Sequence, residues 1–342
     1  MKKFTILLFM LSKLLAAQNL SWTNIDLKIN TNIRGLSVVN DKIVWVSGSN
    51  GWTGRSMNGG KNWTMNQVNG FEKADFRSLY AFNDKKAIIA NSGSPAHILM
   101  TQDGGLSWHN VYSNNDSAAF FDGIDFWDEH DGLLYGDPLN GKMLLLRTKD
   151  GGLHWQELPD SSRPVLIENE ASFAASGTGI RCIEKQKIIL TSGGSQSRLF
   201  ISNNQGATWD SISTPMIHGR NSTGVFSVAY KKPNQLIIVG GDFLHDTSKI
   251  NHVFYSTDGG QHWLRPEVPT GGYRECVEYI NKKTFLATGP FGTDVSYDNG
   301  KNWAPLSDEK FFHVIRKARK GTLMMAAGRG KVSILKSKSL FP

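Results

Sequence analysis

One eight-residue pattern, Ser/Thr-x-Asp/Asn-x-Gly-x-x-Trp, occurs six times in this chain, at residues 56–63, 101–108, 148–155, 202–209, 256–263 and 296–303. Self-similarity at a period of a few tens of residues marks a repeat architecture, in which no unit can bury its apolar face alone. The pattern has a mechanical reading. An Asp or Asn side chain accepts hydrogen bonds from the backbone of the turn that follows it. Gly supplies the positive φ of a tight turn, and Trp returns as an apolar plug between sheets. Asn stands in for Asp at positions 58 and 204, which argues for backbone acceptance and against catalysis or metal binding.

Each of the six Trp residues opens a short strand pattern, including Trp263-Leu264-Arg265-Pro266. A seventh, Trp22-Thr23-Asn24-Ile25, has no box before it. At the other end, residues 330–335 resemble a strand that precedes a box, with no box after it. The two halves complete one another. Successive Trp residues lie 40 to 54 apart, against about 40–45 for a four-stranded propeller blade. Alternating apolar residues with turns at Asn40-Asp41 and Asn83-Asp84 supply hairpins inside the repeats. The predicted fold is an all-β, seven-bladed propeller with Asp-box repeats, closed by its N-terminal strand. It forms one domain over residues 18–342.

Residues 1–17 read as a secretory signal peptide: Lys2-Lys3, a mostly apolar stretch, then Ala16-Ala17. No Cys follows it, and the apolar run is short for a membrane span. The expectation is an exported protein, periplasmic or extracellular, without a transmembrane segment and monomeric. Cys182 and Cys276 are too few for a disulfide framework and are expected as buried thiols. The net charge of +8 is concentrated at the ends of the chain, with a basic last repeat on a mildly acidic body. That distribution is not a nucleic-acid stripe with interleaved aromatics.

The boxes, the seven-fold count and phrases such as Trp45-Val46-Ser47-Gly48 before a box resemble the Asp-box, or bacterial neuraminidase repeat, propellers. The spacing is most similar to the photosystem II stability and assembly factor family. That resemblance implies a propeller whose surface holds another protein during biogenesis. Sialidases of the wider group pair their boxes with an Arg-Ile-Pro motif, three arginines, a Tyr–Glu pair and an Asp. The nearest match here, Phe76-Arg77-Ser78-Leu79, lacks the Pro.

Aligning the inner strands puts Arg34, Arg77, Asp122, Arg181, Phe226, Glu275 and His313 in one slot. Six of these are ionisable, in strands that are otherwise apolar, and charges so placed must be paired or solvated. They read either as an internal salt-bridge ring or as a polar funnel. As a funnel, Arg34, Arg77, Asp122, Arg181, Glu275 and His313 are the binding residues for a protein, an anionic glycan or a carboxylate. The long insertions 159–179, 214–224 and 240–252 fall on the same face, where binding groups concentrate. The alternative is a sialidase-like glycosidase or glycan-binding protein, with a carboxylate pair drawn from Asp122, Asp137, Glu168, Glu170, Asp242 and Glu275. No metal-ligand spacing, dinucleotide fingerprint or phosphate loop is present, so neither a cofactor nor a metal is expected. The basic run Arg316-Lys317-Ala318-Arg319-Lys320, on the opposite face, reads as a solvated hairpin and a rival anion site.

Overall fold

The computed structural model describes residues 20–337; the signal-peptide assignment at residues 1–17 lies outside them. Seven antiparallel sheets follow one another along the chain, and no α-helix occurs among the described residues. Their innermost strands are Ile33–Val38, Ser78–Ala81, Phe121–Phe126, Ile180–Ile183, Thr223–Lys231, Cys276–Asn281 and Phe312–Lys317, which number blades one to seven. Side chains of adjacent blades interdigitate as nearly dry apolar layers. Ile88, Ile98, Phe121 and Leu144, for instance, meet between blades two and three with none of their surface exposed.

The ring closes as the unmatched ends predict. Leu20–Asp26 pairs antiparallel with Lys331–Ser337, Trp22 opposite Leu335, and becomes the outer strand of blade seven. A second seam joins blades seven and one, where Arg319 N donates to Val38 O and Lys320 N to Val39 O. The sequence-predicted outer strand of blade five is absent. Only Tyr255 and Leu264 form a bridge there, since Pro266, two residues on, has no N–H to continue a ladder. That sheet gains strands on its other side instead, Glu170–Ala171 from the insertion between blades three and four and Gly193–Gly194 from the loop between the second and third strands of blade four.

The boxes are structural, and their chemistry is shared between two residues. In all six, the leading Ser or Thr hydroxyl accepts the buried N–H of the Gly four residues on, at 2.8–2.9 Å. The same hydroxyl donates to the Asp or Asn Oδ1. The Asp or Asn then accepts a backbone N–H of the next turn, as Asp103 does from Leu106 and Ser107. Sequence reasoning named the carboxylate; the hydroxyl, which holds the more deeply buried donor, was missed. That Gly needs a positive φ in every box, from 81° at Gly60 to 97° at Gly260.

Each box also docks on the hairpin between the first two strands of its blade. Gly59 N donates to Lys42 O, Gly104 N to Lys85 O and Gly151 N to His130 O. The boxes therefore share a face with the ends of the inner strands, and the insertions open on the other.

Two outcomes follow. Replacing Thr148 by the isosteric Val strands the Gly152 N–H, and chemical denaturation should register a loss of about 1–3 kcal/mol. Deleting residues 20–26 uncovers the edge of Lys331–Ser337, and the melting temperature should fall sharply, with concentration-dependent association through that edge.

Candidate functional site

The slot identified in the inner strands is a β-bulge. Arg34, Asp122, Phe226 and His313 are each the extra residue where the register with the second strand shifts. A bulge re-aims its side chain out of the ladder, which is how ionisable residues escape the apolar layers between blades. Small residues follow the bulge in most blades, and Gly35, Gly123 and Gly179 have no room for a Cβ. That pattern gives the blade-four slot to Thr178. Arg181 lies three residues further along its strand and in a different layer, so the alignment that placed it with Arg34 is corrected.

The insertion-face layer is closed. Residues 174–178 of the long insertion run into the channel with every residue buried. Arg34 Nη1 donates to Ala175 O at 2.7 Å, and Ser176 Oγ donates to Glu275 O at 2.8 Å. Thr178 Oγ1 donates to Ser227 Oγ at 2.6 Å, and Arg316 Nη2 donates to Gly177 O at 3.1 Å. Blades one, five, six and seven are thereby tied to one small-residue segment. The insertion is itself anchored through Glu170, which accepts from Ile167 N, Ser192 Oγ and the Arg198 guanidinium.

Within this layer Glu275 accepts from His313 Nδ1 at 2.5 Å and from Arg34 Nη1 at 3.3 Å. Burial would raise the Glu275 carboxyl, but the charges and hydrogen bonds of Arg34 and His313 outweigh it and hold the group below its usual range. Arg77 is engaged by Asp75 at 2.7 Å. Asp122 is wholly buried. Phe226 leaves the charged set and stacks on Phe173 at 3.8 Å, with Tyr273 edge-on at 4.9 Å. Of the six sequence-predicted residues, the structure joins Arg34, Glu275 and His313 by direct contact and leaves Arg77, Asp122 and Arg181 outside that group. Among the other carboxylates proposed for hydrolysis, Asp137 accepts from Ser172 N, and Asp242 is held by Leu244 N and His245.

The layer on the box face is open. A cavity of about 100 Å³ there is lined by Ser37, Tyr80, Asp125, Arg181, Glu278 and Arg316, with Lys317 and Arg319 beside them. These first six occupy the position three residues past the bulge in their strands, a second periodic slot legible in the sequence but overlooked. Arg181 spans the channel, donating to Val228 O at 2.7 Å, Val277 O at 3.1 Å and Glu278 at 3.1 Å. Arg316 shares Glu278 at 3.8 Å. Burial and the nearby Arg181 charge lower the Arg316 pKa, with Glu278 opposing them. Arg319 lies over the Tyr80 ring at 4.3 Å and donates to Ser37 Oγ and Ala81 O. Four cations thus face two carboxylates, and burial raises one of those, Asp125. The basic run is not a solvated hairpin: its Arg316 and Arg319 side chains turn into the channel. Both cysteines are buried free thiols, as expected.

Residues 14–118 match the family model described as photosynthesis system II assembly factor YCF48. The photosystem II assembly lipoprotein Ycf48 of Picosynechococcus is 33% identical over 94 residues, which span 26% of this chain and 24% of that protein. Among solved structures, YCF48 bound to D1 peptide superimposes with a TM-score of 0.66 at 16% identity, over 93% of this chain and 97% of that one. YCF48 from Cyanidioschyzon merolae gives 0.61 at 15% identity, over 93% and 98%. A virginiamycin B lyase from Staphylococcus aureus gives 0.67 at 14% identity, over 93% and 99%. These structural likenesses establish the propeller, which hosts both binding proteins and enzymes.

Glu275→Gln should leave Arg34 and His313 buried without their counter-charge. Urea unfolding should show a loss of about 3 kcal/mol or more, with the fold retained.

Proposed function

We propose that this Asp-box propeller, close to the photosystem II assembly factors, is an exported, non-enzymatic binding protein that holds a carboxylate-bearing segment of another protein during assembly. The observation that carries the reading is the open cavity on the box face. Arg181, Arg316, Lys317 and Arg319 there outnumber Asp125 and Glu278, so an incoming carboxylate would meet a positive excess at low dielectric. The insertion-face layer offers less, because its charges are already spent on one another and on residues 174–178.

The similarity to Ycf48 supports the same direction, since a solved relative carries a D1 peptide. Among the described residues no helix is long and apolar enough to cross a membrane. Export rests on the expectation from residues 1–17. The glycosidase reading is weakened by burial: Asp122 is fully enclosed and Glu275 is paired on two sides. Neither offers a free carboxylate to a sugar.

Fluorescence anisotropy with labelled peptides ending in a free, acidic C-terminus tests the proposal. Binding should weaken at least tenfold on C-terminal amidation combined with Asp/Glu neutralisation. It should weaken comparably in Arg319→Gln, and fall with rising salt. Undiminished binding by Arg319→Gln together with Arg316→Gln would overturn it, as would hydrolysis of a glycoside lost on changing Asp125 or Glu278.

A further inference from the structure

The densest group of unsatisfied buried polar atoms lies apart from the basic cavity, between blades three and four. Both carboxylate oxygens of Asp122 lack a hydrogen-bond partner, and so does Ser172 Oγ, while the Tyr135 and Thr191 hydroxyls have no partner beyond each other. All four residues are at least nine-tenths buried. Native proteins leave few such groups unpaired, and each one asks for a cause.

The topology explains why they meet. Asp122 is the extra residue of the blade-three bulge, opposite the stretch Tyr135-Gly136 of the second strand. Asp137 follows directly and supplies a second carboxylate, whose Oδ1 accepts from Ser172 N at 3.0 Å. Ser172 thus brings the channel-plugging insertion to the same spot. Tyr135 reaches across to blade four. A Cβ on Gly179 would stand 2.0 Å from the Tyr135 hydroxyl oxygen and 2.7 Å from Thr191 Oγ1. The missing side chain at position 179 therefore lets both hydroxyls meet at one point.

The group is short of positive charge. Arg77 is the cation nearest in effect to Asp122, but its Nε is committed to Asp75. Burial, with the Asp137 charge beside it, pushes the Asp122 carboxyl well above its usual range, and burial pushes Asp137 up to about 6. A proton on Asp122 would satisfy one oxygen and leave the rest. A cation would answer all of them, because every unsatisfied atom here is oxygen, the donor that hard cations take. No trio of His, Cys, Asp or Glu gathers among the described residues, so a site here has no more than the two carboxylates of Asp122 and Asp137.

We propose that Asp122 and Asp137, with the hydroxyls of Tyr135, Thr191 and Ser172, bind one calcium-class divalent cation, completed by water. Two carboxylates neutralise a divalent ion, and a mixed set of carboxylate and hydroxyl oxygens suits the looser calcium geometry better than the strict magnesium octahedron. The ion would clamp blades three and four to the insertion, and so fix the segment that closes the channel.

The test uses the whole mature protein, stripped with EGTA and dialysed. Melting temperature is followed in calcium, magnesium and sodium at matched ionic strength, and bound metal is counted by elemental analysis after gel filtration. The expected result is about one calcium per chain and a saturable rise in melting temperature that magnesium and sodium do not reproduce. Asp122→Asn should abolish both, while Asp210→Asn, an exposed control, should keep both. Tyr135→Phe, which retains the ring packing, should shift the calcium midpoint upward at least fivefold even if Asp122→Asn fails to fold. No retained calcium with identical melting in calcium and EGTA would overturn the proposal and leave a protonated Asp122 among buried waters. A response of Asp122→Asn equal to that of the unaltered protein would overturn it too. So would a preference for magnesium or sodium, or a Tyr135→Phe midpoint that does not move.

Discussion

The antiparallel pairing of Leu20–Asp26 with Lys331–Ser337 holds the ring of seven sheets closed. It joins residues from opposite ends of the chain, so it forms only when all seven sheets stand in a ring. Without it two edges remain open, and the apolar layers between blades seven and one have no reason to close. The Arg319 and Lys320 backbone bonds to blade one form a second seam. Beside that second seam the Arg316 and Arg319 side chains line the cavity.

A ring of seven sheets leaves a central channel that apolar strands cannot line without cost, since water would meet hydrophobic walls. The chain resolves this in two layers. On the insertion side, bulges turn Arg34 and His313 inward beside Glu275, and Ala175 O accepts from the Arg34 guanidinium. On the box side, three residues further along, Arg181, Arg316 and Glu278 span the opening with a surplus of positive charge. The first layer is internally balanced and holds the blades together; the second is open and unbalanced. The proposed binding follows the imbalance.

Much of this is legible in the sequence. Blade number, closure and the role of the boxes follow from residues repeated in register, because each repeat faces the same physical problem. The misplacement of Arg181 has a specific cause. Blade four carries its bulge slot on Thr178, a residue supplied by the insertion, and an alignment by charge alone slid to the next Arg. The lost outer strand of blade five turns on Pro266, whose missing N–H is visible in the sequence but was outweighed by the Trp pattern. The plug shows in the sequence only as a run of small residues, Ala174 to Gly177. Its smallness is what lets backbone enter a channel already crowded with Arg side chains, and no local propensity records that. The cluster around Asp122 was equally hidden, since Tyr135, Ser172 and Thr191 come from three separate strands or loops.

In the function proposed above, the box-side mouth, and not the insertion face, receives the partner. Hydrogen–deuterium exchange of the protein with and without a saturating acidic C-terminal peptide tests it most directly, because it reads both faces in one experiment. The predicted footprint is slowed exchange at residues 36–40 and 316–323, around the cavity, with residues 159–171 and 240–252 unchanged. Protection confined to those two insertions, with residues 316–323 unaffected, would contradict the claim and move the functional surface to the other side of the ring.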